Sequence, residues 1–179
     1  MRRLIVESEA SRQVDAPLPD VRALLSDFPR AMRLLPMVGL VQALPADDAA
    51  YVAGRERFRV HLGPFGVGGF RGTLRLVVDV AREATEDRYA LQVTTVAGEG
   101  NTDASIDFVA RGVLGGTNVH CHVWAAPRKD IPAMLPLGIV RRAASRVLEA
   151  ALSEGLEGLW RQVCVDELEY EPTEGPVPS

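Results

Sequence analysis

The chain has 179 residues, 47% of them apolar and 25% charged, with a formal net charge of −4 at pH 7. This length supports one domain with a substantial core, the charge argues against a nucleic-acid binder, and two cysteines, Cys121 and Cys164, exclude a disulfide framework or a four-ligand zinc knuckle. No apolar run reaches membrane-spanning length and the first one ends at Glu7, so we expect a soluble cytoplasmic domain without a signal peptide.

The first part of the chain predicts one strand and two short helices. Apolar and polar residues alternate over 4–14, which indicates a strand with one buried face. Prolines then interrupt the alternation, and apolar residues recur at helical spacing over 18–28. A second short helix is predicted over 30–35, between Pro29 and Pro36.

The middle of the chain predicts a meander of strands. Short, turn-like links separate the alternating segments, which favours hairpins and hence antiparallel pairing. The predicted strands cover residues 38–46, 50–62, 68–82, 88–97, 102–112 and 117–127.

The last element is a long amphipathic helix, predicted over about 133–165. Gly155 and Gly158 lie in its second half, where missing side chains would allow a close approach of helix to sheet. We place one domain over 1–165 and expect the acidic segment 166–179 to be a disordered tail. The apolar face of the helix is formed by Leu137, Val140, Ala144, Val147, Leu148, Ala151, Leu152, Leu159 and Val163.

This order of elements predicts an α+β fold. A seven-stranded, curved antiparallel sheet would surround the long C-terminal helix, and the two short helices would lie between strands 1 and 2. The inner face of the sheet and the apolar face of the helix would then cover each other.

A family resemblance agrees with this order. With the strand-to-helix passage RQVDAPLPDV at 12–21 and LLSD at 24–27, the chain resembles the START/helix-grip superfamily (SRPBCC proteins). FRVHLGPF at 58–65 running into FRGTL at 70–74, with GTNV at 116–119 and RRAA at 141–144, is similar to carbon monoxide dehydrogenase subunit-G proteins and polyketide cyclase-like proteins. The acidic outer side of the first strand and the tail depart from the subunit-G pattern.

The resemblance implies an apolar cavity between the sheet and the helix. Members of the superfamily bind lipids, sterols, quinones, polyketides or plant hormones, and a minority are cyclases or hydratases. They share no catalytic motif, so no catalytic residue is carried over to this chain. The resemblance, together with the inward faces of the strands and the face of the helix, implies a ligand site lined by Phe58, Val60, Phe65, Phe70, Leu74, Leu76, Tyr89, Leu91, Phe108, Cys121, Leu137, Val140, Arg141 and Ala144.

Polar residues interrupt the apolar faces at Arg12, Glu56 and Arg141. A buried charge is costly unless it is paired. These side chains would therefore either orient a polar group of the ligand or form ion pairs near the rim of the cavity. The glycine-rich hairpin at 62–69, which carries Phe65, would form a lid over the cavity. It lacks a lysine and a following helix, so it is no phosphate-binding loop.

The outer face of the sheet has two unusual groups. His120 and His122, with Asp107 opposite, are of metal-ligating types, but an exposed strand face offers nothing to hold them, so we predict neither a metal nor a cofactor. Outward-facing arginines would form a stripe that is solvated or docks weakly on an anionic membrane surface or an acidic protein. Hairpin pairing would place Arg71 near Arg59 and Arg75 near Arg55, with Arg57 between them.

We therefore expect a carrier rather than an enzyme. It would carry an apolar small molecule such as a lipid, isoprenoid or quinone-like compound. By the subunit-G likeness it would serve as an accessory factor to a redox enzyme or a membrane. Two alternatives stay open: a cyclase or hydratase acting on a polyketide-like substrate in the same cavity, and a closed-core module with only a protein-interaction surface.

Overall fold

Seven strands and three helices form the part of the chain that the computed structural model describes, namely residues 5–67, 70–98, 102–127 and 137–168. In chain order they are β1 (Val6–Val14), α1 (Leu18–Ser26), α2 (Phe28–Arg33), β2 (Val38–Ala43), β3 (Glu56–Val67), β4 (Phe70–Ala84), β5 (Arg88–Gly98), β6 (Thr102–Val113), β7 (Gly116–Pro127) and α3 (Leu137–Leu168). No helix within these ranges has the length and apolar content needed to cross a bilayer.

The strands form one antiparallel sheet in the order β1-β7-β6-β5-β4-β3-β2. The meander from β2 to β7 is confirmed, and the chain's first strand closes the sheet by pairing with its last. Gly116 makes this closure possible, because a Cβ there would lie 2.1 Å from the backbone oxygen of Val14. The curled seven-stranded sheet with its C-terminal helix is the predicted helix-grip arrangement.

Several boundaries differ from the predicted ones, and two of these differences have a clear local cause. β3 begins at Glu56 rather than at residue 50, because Asp48 holds the preceding segment in turns. Its carboxylate accepts a hydrogen bond from the Ala50 amide at 2.9 Å, and its backbone oxygen accepts one from Tyr51 at 2.9 Å. α2 begins at Phe28 rather than at residue 30, because the Asp27 carboxylate caps it by accepting from the Arg30 amide at 3.1 Å.

The two short helices cover one end of the inner face of the sheet. The Phe28 ring lies 4.6 Å from that of Phe58, centroid to centroid. Ser26 Oγ donates a hydrogen bond to Tyr89 Oη at 3.3 Å, which joins the end of α1 to β5. The buried side chains that these helices contribute to the core are Val21, Leu24, Leu25, Phe28, Ala31 and Met32.

The second half of α3 packs along β1 and against the segment that follows α2. At Gly155 an added Cβ would lie 2.7 Å from Leu35 Cδ2 and 3.3 Å from the Leu34 oxygen. The glycine therefore permits a close approach, as predicted, but to this segment rather than to the sheet. α3 continues to Leu168 instead of ending at 165, and the remainder of the expected tail, 169–179, lies outside the described residues, as does 133–136.

This contact gives a test with a matched control. We expect Gly155→Ala to lower the free energy of unfolding, because the new methyl group clashes with the buried Leu35 side chain. Gly158→Ala should raise it by up to about 1 kcal/mol, since alanine favours a helix and the nearest atom, Leu34 Cδ2, is 3.7 Å away. Urea unfolding of both variants measures the difference. A Gly155→Ala protein as stable as Gly158→Ala would contradict the close contact.

Candidate functional site

Burial of the inner face of the sheet changes along the strands. On β3, Val60 is 2% exposed, whereas the next inward residue, Leu62, is half-buried. On β6, Phe108 is 4% exposed and Ile106 is half-buried, and Thr95 on β5 is half-buried as well. α1 and α2 thus cover one end of the inner face, and the other end is only partly covered.

α3 shows the same change along one stripe. Residues 141, 148, 152 and 159 lie on one side of the helix because they follow one another at intervals of one or two turns. Arg141 is exposed and Leu148 half-buried, whereas Leu152 and Leu159 are each 1% exposed. At the flank of this stripe, Val147 is 43% exposed. The first half of α3 is therefore less closely covered than the second.

These two gradients run toward the same end of the sheet. α3 runs along β1 in the same direction, because Glu157 pairs with Arg12 and Cys164 Sγ lies 4.0 Å from the Asp15 oxygen. Ile106 is in register with Val123, which faces Ser8 near the start of β1. We name the incompletely buried residues of this end, Leu62, Thr95, Ile106, Arg141 and Leu148, the groove residues. Apolar surface left exposed in this way favours burial by about 25 cal/mol for each Å². The groove residues therefore offer partly exposed apolar surface, with one guanidinium among them.

The predicted ligand residues fall into three groups. Arg141 and Ala144 lie in the first half of α3, where Arg141 is exposed and Ala144 is half-buried. Seven residues belong to the buried inner face: Phe58, Val60, Leu76, Tyr89, Leu91, Phe108 and Cys121. The other five have side chains outside the described residues: Phe65, Phe70, Leu74, Leu137 and Val140. A closed cavity with these residues in its wall stays a prediction.

The helix pair explains why two of the inner-face residues are so well covered. Phe58 lies against Phe28 of α2, and Tyr89 lies under α1, with Arg22 Cζ 6.0 Å from the centre of its ring. The groove residues that the predicted set omits are Leu62, Thr95, Ile106 and Leu148. Alternation places the strand residues among them on the inner face, but it does not say which end of each strand is covered.

Ion pairing accounts for two of the three polar interruptions. Arg12, on the inner face of β1, forms an ion pair with Glu157 of α3, and its Cζ lies 5.4 Å from the centre of the Trp160 ring. Glu56 forms an ion pair with Arg82, which also donates to the Ser26 backbone oxygen at 3.1 Å. The first pair therefore links β1 to α3. The second pair joins β3 to β4, and Arg82 connects it to the end of α1.

Cys121 lies at the centre of β7 and is fully buried. Burial raises the pKa of its thiol to about 12, and the negative charge of Asp107 acts in the same direction. The neutral thiol is a poor nucleophile, so Cys121 serves as an apolar core residue.

The arginine stripe on the outer face has a different register from the predicted one. β3 continues to Val67, so Arg75 faces His61, Arg71 faces Gly66 and Arg59 faces Val77. The expected pairs Arg71 with Arg59 and Arg75 with Arg55 are therefore wrong. The Arg71 side chain lies outside the described residues.

Asp79 neutralises the start of the stripe. It accepts hydrogen bonds from Arg57 and, at 2.9 Å, from Arg55. The hydrogen bond from Arg57 is the main cause that lowers the pKa of Asp79, and Arg55 contributes, while burial acts against them. Asp48 forms an ion pair with Arg59. The pKa of Asp48 is lowered by the Ala50 amide and by Arg59.

The two histidines of β7 lie on the outer face, as predicted, with Asp107 opposite His122. His122 Nε2 is 2.8 Å from Glu7 Oε1, and His120 Nδ1 is 2.7 Å from Ser11 Oγ. Within the described part of the chain, no three such side chains converge in the manner of metal ligands. These residues tie β1 to β7.

The fold and the sequence assign the chain to a family. The family model for polyketide cyclase/dehydrase and lipid transport proteins matches residues 6–163. The chain therefore belongs to this family, within the START/helix-grip superfamily that the sequence resembles. Among curated proteins, none matches the sequence.

Solved structures share the fold at low identity. A START superfamily protein from Mycobacterium smegmatis has a TM-score of 0.59 at 18% identity, covering 90% of this chain and 99% of that one. A STAR-related lipid transfer protein from Xanthomonas axonopodis has a TM-score of 0.61 at 16% identity, covering 87% of this chain and 84% of that one. The di-domain ARO/CYC protein StfQ of the steffimycin biosynthetic pathway has a TM-score of 0.61 at 15% identity, covering 93% of this chain and 53% of that one. At these identities the likeness shows the fold alone.

The two cysteines give a test of the buried inner face. We expect a thiol reagent at mildly alkaline pH to label the half-buried Cys164 and to leave Cys121 unlabelled, because the thiol of Cys121 is buried and its pKa is about 12. Peptide mapping by mass spectrometry measures each site, and both should react in urea. Equal labelling rates in the folded protein would show that the interior is open at β7.

Asp79 gives a test of the outer face. The pKa of Asp79 is lowered in the folded state from its ordinary value of 3.8. Its ion pairs therefore stabilise the folded protein at any pH above 3.8, and this contribution is lost as the pH falls through the folded-state pKa. We expect Asp79→Asn to lower the free energy of unfolding by about 1 kcal/mol at neutral pH and by less in acid. Glu83→Gln, at a pair that is more exposed, should change it little. Equal effects of both variants at all pH values would contradict this role.

Proposed function

We propose that this protein binds and carries an apolar small molecule, a lipid, isoprenoid or quinone-like compound, in the groove between the sheet and the first half of α3. The observation that carries the proposal is the loss of burial along α3, from Leu152 through Leu148 to Arg141. A stripe that is buried at one end and exposed at the other end offers apolar surface that a ligand would cover.

The groove residues suit a molecule with a long apolar part and one polar end. Leu62, Ile106 and Leu148 supply aliphatic surface, and Thr95 supplies a hydroxyl group. Arg141 would pair with a polar or anionic end at the border of the groove, where its charge stays in contact with water. Affinity would come from the apolar area buried, less the cost of ordering the ligand.

Carriage of a ligand fits the groove better than catalysis does. A cyclase needs an acid and a base within reach of one substrate. The side chains that define the groove include no such pair. Two of the polar residues of the inner face, Arg12 and Glu56, are committed to ion pairs with Glu157 and Arg82. The closed-core alternative would require the half-buried residues Leu62, Ile106 and Leu148 to be covered by other parts of the chain.

Several finer points remain predictions of this proposal. The accessory role to a redox enzyme or a membrane comes from the subunit-G likeness, and the cytoplasmic location from composition. The domain bounds 1–165 rest on the element pattern, and the family model matches nearly the same range, 6–163. A co-purifying quinone would favour the redox role, and a lipid the membrane role.

Native mass spectrometry of the protein purified from its own host tests the proposal. We expect an apolar small molecule to co-purify. Ala144→Trp, which fills the groove, should abolish its retention. Ala150→Trp is the matched control, because Ala150 is exposed and lies opposite the groove stripe on α3. The control should retain the ligand as the natural protein does.

Two results would end the proposal. One is that repeated preparations carry no small molecule, while thermal stability does not respond to a panel of lipids and quinones. The other is that both tryptophan variants lose the ligand equally while remaining folded, because binding would then not depend on the groove.

A further inference from the structure

The outward side of the first half of α3 combines apolar and cationic side chains. Ile139, Arg142 and Arg146 follow one another at intervals of three and four residues, so they lie on one face of the helix. Together with Ala143 they line a shallow depression of about 250 Å³. Ile139 is 59% exposed, and both arginines are exposed. We call these four residues the outer helix face, which lies on the opposite side of α3 from Leu148.

Charge is divided unevenly along α3. Residues 137–148 contain three arginines and no acid, whereas residues 149–168 contain five acids and one arginine. The N-terminus is the positive end of the helix dipole, so acids stabilise the first turn of a helix and cations stabilise the last. α3 has no acid in its first turn and no base in its last turn. Helix stability therefore does not account for the concentration of arginine in the first half.

The two arginines of the outer helix face are not paired with acids. Among the described residues, no carboxylate forms an ion pair with Arg142 or Arg146, although Glu149 follows Arg146 by one turn. Arg142 Nε donates a hydrogen bond to the Gly138 backbone oxygen at 3.1 Å, and the other donors of its guanidinium remain available. In the second half of α3, by contrast, Arg161 lies 3.4 Å from Glu157.

The arginine stripe of the sheet offers less available charge than this helix face. Asp79 pairs with Arg55 and Arg57, and Asp48 pairs with Arg59. The start of the stripe, which the sequence suggested as a docking surface, is therefore neutralised within the chain. The first half of α3 is the place where exposed guanidinium groups without an acidic partner lie beside exposed aliphatic surface.

We propose that the outer helix face docks on the surface of a bilayer that contains anionic lipids. Arg142 and Arg146 would pair with headgroup phosphates, and Ile139 would enter the boundary between headgroups and acyl chains. The choice of a bilayer over an acidic protein rests on the proposed function, because an apolar ligand is exchanged where it is soluble. The groove residues lie on the other side of the helix, so docking does not require an occupied groove.

Flotation of the purified protein with vesicles tests the docking. One set of vesicles is phosphatidylcholine alone, and the other is equal parts of phosphatidylcholine and phosphatidylglycerol. We expect binding to the vesicles that contain phosphatidylglycerol and not to the neutral ones. This binding should weaken as salt is added, because salt screens the attraction between exposed charges.

A double variant with a charge-matched control tests the residues. Arg142→Gln with Arg146→Gln should weaken binding to the anionic vesicles at least about tenfold, since each arginine near an anionic surface adds to the attraction. Glutamine favours a helix about as well as arginine does, so the fold should be kept, which circular dichroism verifies. The control combines Arg111→Gln with Arg161→Gln, which removes the same charge from exposed positions on β6 and on the second half of α3. It should bind as the natural protein does.

Ile139→Gln tests the apolar part of the outer helix face. This variant keeps every charge, so the salt dependence of binding should be unchanged while binding itself weakens, because less apolar area enters the bilayer. Binding that is unaffected by Ile139→Gln would overturn the proposed entry of this side chain into the bilayer.

Retention of the co-purified molecule separates this proposal from the proposed function. The double variant of Arg142 and Arg146 should retain that molecule, because neither residue is a groove residue. Absence of binding to anionic vesicles would overturn the docking and favour an acidic protein as the partner, and equal weakening in the double variant and its control would also overturn it. Vesicle binding by a protein that never carries a small molecule would support the docking and end the proposed carriage.

Discussion

The close contact of Gly155 with the Leu34–Leu35 segment determines how α3 lies on the sheet. Because glycine has no side chain, the helix approaches this segment closely, and the Arg12–Glu157 ion pair attaches the same half of the helix to β1. Beyond this half, burial along the stripe decreases toward Arg141. The residues of α3 that the proposed groove uses therefore lie in the other half of the helix, where burial is lower.

The two faces of the sheet offer different chemistry because side chains alternate along each strand. Inward residues of β3, such as Val60 and Leu62, contribute apolar surface to the interior, whereas the outward Arg57 and Arg59 form ion pairs with Asp79 and Asp48. The inner face of the sheet therefore stabilises the fold through buried apolar area, and the outer face through pairs of opposite charges.

Most of the fold could be predicted from the sequence, because alternation and proline positions are local signals. The start of β3 could not be predicted, because the residues from 50 onward have a strand-like alternation. The hydrogen bonds to Asp48 nevertheless hold this segment in turns. The predicted pairing of the arginines across the β3–β4 hairpin was wrong because β3 extends to Val67. This extension moves the turn along the chain and changes the residue that faces each arginine. The groove was only partly predictable: alternation gives the face of Ile106 and Leu62, but coverage by α1, α2 and α3 depends on tertiary packing.

The most direct test of an apolar ligand between sheet and helix is NMR measurement of contacts from the co-purified molecule to methyl groups. The account predicts intermolecular NOEs to Ile106 and Leu148, and none to Leu40 on the outer face. Contacts confined to Leu40 and its outer-face neighbours, with the methyl signals of Ile106 and Leu148 unchanged on ligand removal, would contradict it.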